Sequence, residues 1–217
     1  MTQRSLIKLL GGSGILAGVM IILARVMQVW LFGDSPLSAH GTDGLFVPLV
    51  GMPGLVGSVL FLLAITGLYL YQAENAGVFG LLSFLFAFAG ISFSIGANWA
   101  YAFGSPYLAS TAPGLLDLDF SHESWGVFGK GFIYSYLLSG ISYIVFAIST
   151  IITGSIPRWI GFLMLLSMVL AAVLPISTIG AGAIVLNVLL GIGPIVFGWY
   201  LWRMTKPDVD HSERGAA

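Results

Sequence analysis

Six apolar stretches, each long enough to cross a bilayer, follow one another along the chain with only short breaks between them. A spanning helix needs about 20 apolar residues, because the hydrocarbon core is about 30 Å thick and a helix rises about 1.5 Å per residue. The stretches run from Leu6 to Leu31, Gly54 to Tyr71, Val78 to Phe103, Phe132 to Thr153, Trp159 to Ile179 and Ala181 to Trp202. The fold class this predicts is all-α, an integral membrane bundle of six transmembrane helices. Charge content agrees. Only 8% of the residues are charged, against about 25% in a soluble domain, too few to cover a water-exposed surface.

The breaks are polar or rich in Gly and Pro: Asp34 to Gly44, Gln72 to Gly77, Gly154 to Arg158 and Ile179 to Gly182. Ser105 to Gly131 is the one connection with room for structure of its own. Residues 1–206 therefore read as a single transmembrane domain, and residues 207–217 as a short polar tail. With no cysteine in the chain, disulfides, thiolate catalysis and thiolate metal sites are excluded. A net charge of -1 and the absence of any Lys/Arg run predict no nucleic-acid partner.

Lys and Arg set the expected orientation. An inside N-terminus places Arg4, Lys8, Arg158, Arg203, Lys206 and Arg214 on the cytoplasmic side and leaves Lys130 outside, with Arg25 within a span. That bias predicts a multi-pass cell membrane protein with both termini cytoplasmic. The outer loops carry Asp34, Asp43, Asp117, Asp119 and Glu123 instead. Trp30, Trp99, Trp159, Trp199 and Trp202, with Tyr69, Tyr71, Tyr101, Tyr134 and Tyr200, fall near span ends, where amphipathic rings favour the headgroup level. The basic start could also be read as a signal peptide cleaved near Leu37-Ser38-Ala39. Its apolar run exceeds the 7–15 residues usual for a signal, so an uncleaved first span is expected. Gly57–Leu85 and Gly140–Leu166 show a weak similarity of the kind that transporter repeats leave, and that compositional bias also produces.

Small residues recur at helical spacing, and bundles in lipid associate through such residues. The stripes are Gly11, Gly14, Gly18 and then Arg25; Ser83, Ala87, Gly90, Ser94 and Ala97; Ser135, Ser139, Ser142, Ser149 and Thr153; and Ala183, Asn187, Gly191, Pro194 and Gly198. They predict helix packing, or alternatively the lining of a polar pathway. Either way Arg25, Asn98 and Asn187 are expected to face protein.

Arg25 is the most informative residue. A charge at mid-bilayer costs about 2.5–3.5 kcal/mol on insertion scales, which marks it as a functional candidate. With Asn98, Asn187, Ser177 and Thr178 it could frame a ligand pocket open to the outside, the guanidinium attracting an anionic group and the amides orienting it. The alternatives are snorkelling to the headgroups, or pairing with Asp34 or Glu123.

The long outer loop contains Asp117, Asp119, His122 and Glu123, which could hold a divalent metal together with His40. The interleaved Leu115, Leu116, Leu118, Phe120, Trp125 and Phe128 suit instead an amphipathic segment on the membrane surface, and no metal is expected. No Asp, Glu or His lies within a span, so neither a proton relay nor a haem ligand is expected there. H-E-x-x-H is absent. Gly11-Gly12-Ser13-Gly14 looks like a rhomboid serine motif, but His40, His122 and His211 lie outside the spans and cannot complete a dyad. Pro53 and Pro175 could break the second and fifth spans as in transporters, or simply kink them.

Gly67-Leu68-Tyr69-Leu70-Tyr71-Gln72, followed by Gly77-Val78-Phe79-Gly80, resembles a pattern in small uncharacterised six-span prokaryotic membrane proteins, as does Ile156-Pro157-Arg158-Trp159-Ile160-Gly161. The resemblance implies six spans and no activity. Three functional classes follow. The first is a non-catalytic membrane subunit or accessory component, whose partners are the lipid bilayer and other membrane subunits or further copies of itself. The second is a small-solute transporter or channel around Arg25, and the third a metal-dependent enzyme at the outer surface. The first is the expectation, with no catalytic residues and no cofactor.

Overall fold

Every regular element among the described residues is a helix, the arrangement that lets a backbone satisfy its own hydrogen bonds without water. The computed structural model describes residues 2–32, 43–112, 127–173 and 181–204, without the side chains of 127–129, 171–173, 181–184 and 186–187. Helix α1 is Gln3–Phe32. Val47–Thr111 is one helical run of 65 residues that doubles back at Gly77 (φ 56°, ψ −162°), giving α2 (residues 47–76) and α3 (residues 78–111). Helices α4 (Val127–Thr153), α5 (Arg158–Val173) and α6 (Ala181–Met204) follow. Three segments, Gln3–Phe32, Val47–Thr111 and Lys130–Thr153, are long and apolar enough to cross a membrane, and Arg158–Leu170 and Val188–Met204 are shorter apolar helices. Large apolar side chains stay exposed along these helices, including Val78, Leu82, Phe93, Leu137 and Phe162, a surface suited to lipid and not to water.

Two turns need glycine. Gly77 and Gly154 are the positive-φ residues among those described, a conformation that L side chains adopt only with strain. Each ends one helix of an antiparallel pair, α2 with α3 and α4 with α5. Asn75 Nδ2 donates to Ser155 Oγ at 3.3 Å, so the two turns lie side by side at one end of the bundle. Lys8 lies over the Trp202 ring at the same end, and Arg203 over Trp199, 4.4 Å from its centroid. With Arg4 opening α1 and Arg158 opening α5, four cationic residues gather there.

Helix boundaries differ from the sequence expectation in three places. Helix α2 begins before Gly54, through a π-helical turn at Val47–Gly51, and Pro53 sits in the first turn of the α-helix that follows. Proline is pre-organised for that position, so Pro53 breaks no span. Ser105–Thr111 extends α3 through a second π-helical turn, Ala100–Gly104, and shortens the long connection. The two π turns pack together, since a Cβ on Gly51 would lie 2.8 Å from Ala102 Cβ. Gln72, expected to open a polar break, is instead fully buried on α2. Pro175 lies outside the described residues.

Small residues set the helix contacts, as their spacing predicts. On α1, Gly11, Gly14 and Gly18 face α6 at Gly198, Pro194 and Gly191 respectively. Gly57 and Gly67 of α2 press against Met20 and Leu10 of α1, and Gly90 of α3 against Ser142 of α4. Tyr69 and Phe84 stack across the α2–α3 hairpin with centroids 4.3 Å apart. The centre is filled by Ile65, Leu68, Ile91, Tyr143, Phe146 and Phe197.

The α1–α6 seam makes a paired prediction. A Cβ at Gly18 would collide with the Gly191 carbonyl, whereas a Cβ at Gly12 meets nothing within 4 Å. Gly18→Ala should cost about 1–3 kcal/mol by overpacking. Gly12→Ala should be neutral or stabilising by about 0.5–1 kcal/mol. Thermal unfolding of the two variants in one detergent compares them directly.

Candidate functional site

At the end opposite Gly77, four helices contribute to one polar cluster. Arg25 and Gln28 come from α1, one turn apart, so that their side chains share a face. Ser58 comes from α2, Ser94, Asn98 and Tyr101 from α3, and Tyr136 from α4. Arg25 Nη1 donates to Gln28 Oε1 at 2.8 Å. Gln28 is within hydrogen-bonding reach of the Tyr101 hydroxyl, and both Arg25 and Tyr136 are near enough to act on Tyr101 electrostatically. The Tyr101 ring is held by Phe46, with centroids 5.4 Å apart.

Asn98 is the cluster's hub. Its Nδ2 donates to Ser58 Oγ at 2.9 Å and to the Ser94 carbonyl at 3.0 Å. Its Oδ1 accepts from the Tyr136 hydroxyl at 3.3 Å. One side chain thus joins α2, α3 and α4 and has both ends of its amide occupied. This is interhelical hydrogen bonding of the kind that stabilises bundles. Arg25 differs. Its Nε–H is buried with no partner among the described residues.

Of the expected pocket, Arg25 and Asn98 are brought to the same end of the bundle, linked through Gln28, Tyr101 and Tyr136. Ser177 and Thr178 lie outside the described residues, as does the Asn187 side chain. So do the metal candidates Asp117, Asp119, His122, Glu123 and His40, and the acids Asp34 and Glu123 offered as partners for Arg25. Among the described residues no group of three His, Asp or Glu could hold a metal. Gln28, Tyr101, Tyr136 and Ser58 were not among the expected site residues. Gln28 had a usable signal, three residues from Arg25. The tyrosines did not, because aromatic rings near span ends serve equally as headgroup anchors.

A second feature lies between α3 and α4. A groove of about 560 Å³ is lined by Ser92, Gly96 and Ala100 on α3 and by Gly131, Phe132 and Ser135 on α4. Both serines turn their hydroxyls back on their own helices, Ser92 to the Phe88 carbonyl at 2.8 Å and Ser135 to the Gly131 carbonyl at 2.7 Å. The groove therefore presents a row of small residues with satisfied hydroxyls, flanked by the rings of Phe93 and Phe132, and Gly96 is open to its surroundings.

Neither a family model, a curated protein nor a solved structure matches this chain.

The Asn98 hub can be tested by a double-mutant cycle. Asn98→Leu strands the Tyr136 hydroxyl and should cost about 0.6–2 kcal/mol. Tyr136→Phe should add little in that background. Additive losses in thermal unfolding would show that the two side chains do not interact.

Proposed function

We propose that this chain is a six-span integral protein of the cell membrane with both termini in the cytoplasm, acting as a non-catalytic subunit or accessory component. Placement follows the cations. Arg4, Lys8, Arg158 and Arg203 gather at the Gly77 end, and the positive-inside rule makes that end cytoplasmic. Helices α2 and α3 then count as two spans, and α5 and α6 complete the six. Trp30, Trp99, Trp159, Trp199 and Trp202 are all exposed, as befits rings at the two headgroup levels.

The observation that supports the subunit reading is the α3–α4 groove. Lipid tails gain nothing special from glycine, whereas a neighbouring helix can approach closely only where side chains are small. Ser92, Gly96 and Ala100 recur every four residues on one exposed face of α3, opposite Gly131 and Ser135. The hydroxyls there are satisfied within their own helices, so the surface suits van der Waals packing better than a polar solute. The occupant we propose is a transmembrane helix of a different subunit.

A second reading, a small-solute transporter, is favoured by the Nε–H of Arg25, which no described residue engages. An anionic solute entering from outside would complete that guanidinium. The readings separate experimentally. Gly96→Leu fills the groove without touching the chain's own core. It should leave the melting temperature within about 2 °C of wild type, a change under about 1 kcal/mol for a chain this long, and abolish a stoichiometric partner seen by native mass spectrometry of gentle extracts. Extracts holding the chain alone or only as multiples of itself would defeat the hetero-subunit reading. Arg25→Leu should leave the partner in place; loss of a co-purifying anionic solute in that variant would favour transport.

A further inference from the structure

Buried hydroxyls in this bundle follow one habit. Ser13, Ser83, Ser142, Thr150 and Ser167 each donate to a backbone carbonyl three or four residues earlier in the same helix, at 2.6–3.0 Å. Ser149 breaks it. Its Oγ is buried with no partner among the described residues, although Thr153, one turn on along α4, donates to the Ser149 carbonyl in the usual way. The Ser149 hydroxyl is turned across the helix interface instead, 3.7 Å from where a Cβ on Gly80 would sit.

Ala76 touches that same point from α2. One helical turn before Ala76, on the same face, stands Gln72. It is 0% exposed, and among the described residues neither Nε2 nor Oε1 has a partner. Leaving one buried amide group without a hydrogen bond costs about 1–3 kcal/mol, and here both ends of an amide and a neighbouring hydroxyl are left so. Gln72 thus stands one turn from Ala76 on the face of α2 that Ser149 Oγ approaches from α4, and three polar atoms unsatisfied among the described residues belong to this end of the two helices. A single internal water typically makes about three hydrogen bonds to such groups. The other unpartnered buried atoms among the described residues, Arg25 Nε, Ser105 Oγ and Tyr143 Oη, do not join Gln72 and Ser149 in this layer.

We propose that the Gln72 amide and the Ser149 hydroxyl form a closed hydration site near the Gly77 end of the bundle, holding water that bridges α2 to α4. The ligand class follows from the chemistry. The site offers donors and acceptors but no charge, and is walled by packed side chains, which suits a small neutral molecule and not an ion. It stands independently of the partner proposed for the α3–α4 groove. Water there would tie the α2–α3 hairpin to α4 from within, as the Asn75–Ser155 bond does at the exposed turn.

The sign of one substitution decides it. If the amide is bridged by water, Gln72→Leu breaks the bridge and should lower the melting temperature of the full chain in lipid nanodiscs by roughly 2–4 °C. Ser149→Ala should lower it by less, and the double variant should fall by less than the sum, because both side chains hold the same water. A dry, unsatisfied amide would give the opposite sign, since Gln72→Leu then removes a penalty and raises the melting temperature. A structure resolved well enough to show solvent supplies the second measurement. Density the size of water within hydrogen-bonding distance of both side chains supports the proposal. Empty space there, or density too large for water, overturns it.

Discussion

Close approach of helix backbones at glycine is the contact on which the rest of this bundle depends. In lipid there is little hydrophobic drive between helices, because acyl chains are as apolar as leucine, and association rests on van der Waals packing and a few hydrogen bonds. At Gly18 a neighbouring carbonyl occupies the place of the missing side chain, and at Gly198 the backbone of α1 does so. Such contacts leave the large side chains free to fill the centre, where Tyr143, Phe146 and Phe197 are buried, or to face outwards. Helix α1 is thereby held on two sides, by α6 and by α2, and everything farther along the chain is arranged around that layer.

Polar side chains are confined to what this packing permits. Most hydroxyls bond to their own helix and are silent between helices. Asn98 is the exception near one end, bonded to Ser58 and Tyr136, and Gln72 the exception near the other. Between them lies an apolar middle where Phe61, Phe84, Phe146 and Tyr143 crowd together. The bundle is therefore polar towards both ends and aromatic at the waist, with its two unusual amides in different layers.

How much of this was legible in the sequence depends on the range of the interaction. Apolar runs and small-residue stripes are local, and they located α1, α3 and the faces carrying Gly11, Gly14 and Gly18, or Ser83, Ala87 and Gly90. Asn98, four residues after Ser94, was rightly placed against protein. Gln72 was misplaced because it borders Glu74 and Asn75, and local polarity reads as a turn. The same stretch is held by the α4–α5 turn, 80 residues away at the Asn75–Ser155 bond, which no local pattern records. Pro53 misled for a related reason, since a proline inside an apolar run looks like a break until the preceding π-helical turn makes it the start of the next helix. Tyr101 and Tyr136 were legible as aromatics but not as hydrogen-bonding partners.

The glycine seam also bears on how the protein is made. Helices α1 and α6 lie far apart in the sequence, yet they form one of the tightest contacts among the described residues. At synthesis rates of about 5–20 residues per second, Gly18 precedes Gly191 by roughly 10 to 30 s. Through that interval the face carrying Gly14 and Gly18 is bare, and the spacing of those two glycines is the one that pairs helices in membranes. Until α6 has been made, that face has to be covered by lipid or by another surface of small residues. Close packing of α1 on that side therefore waits on α6, and the seam closes only after helices α2 to α5 have been made.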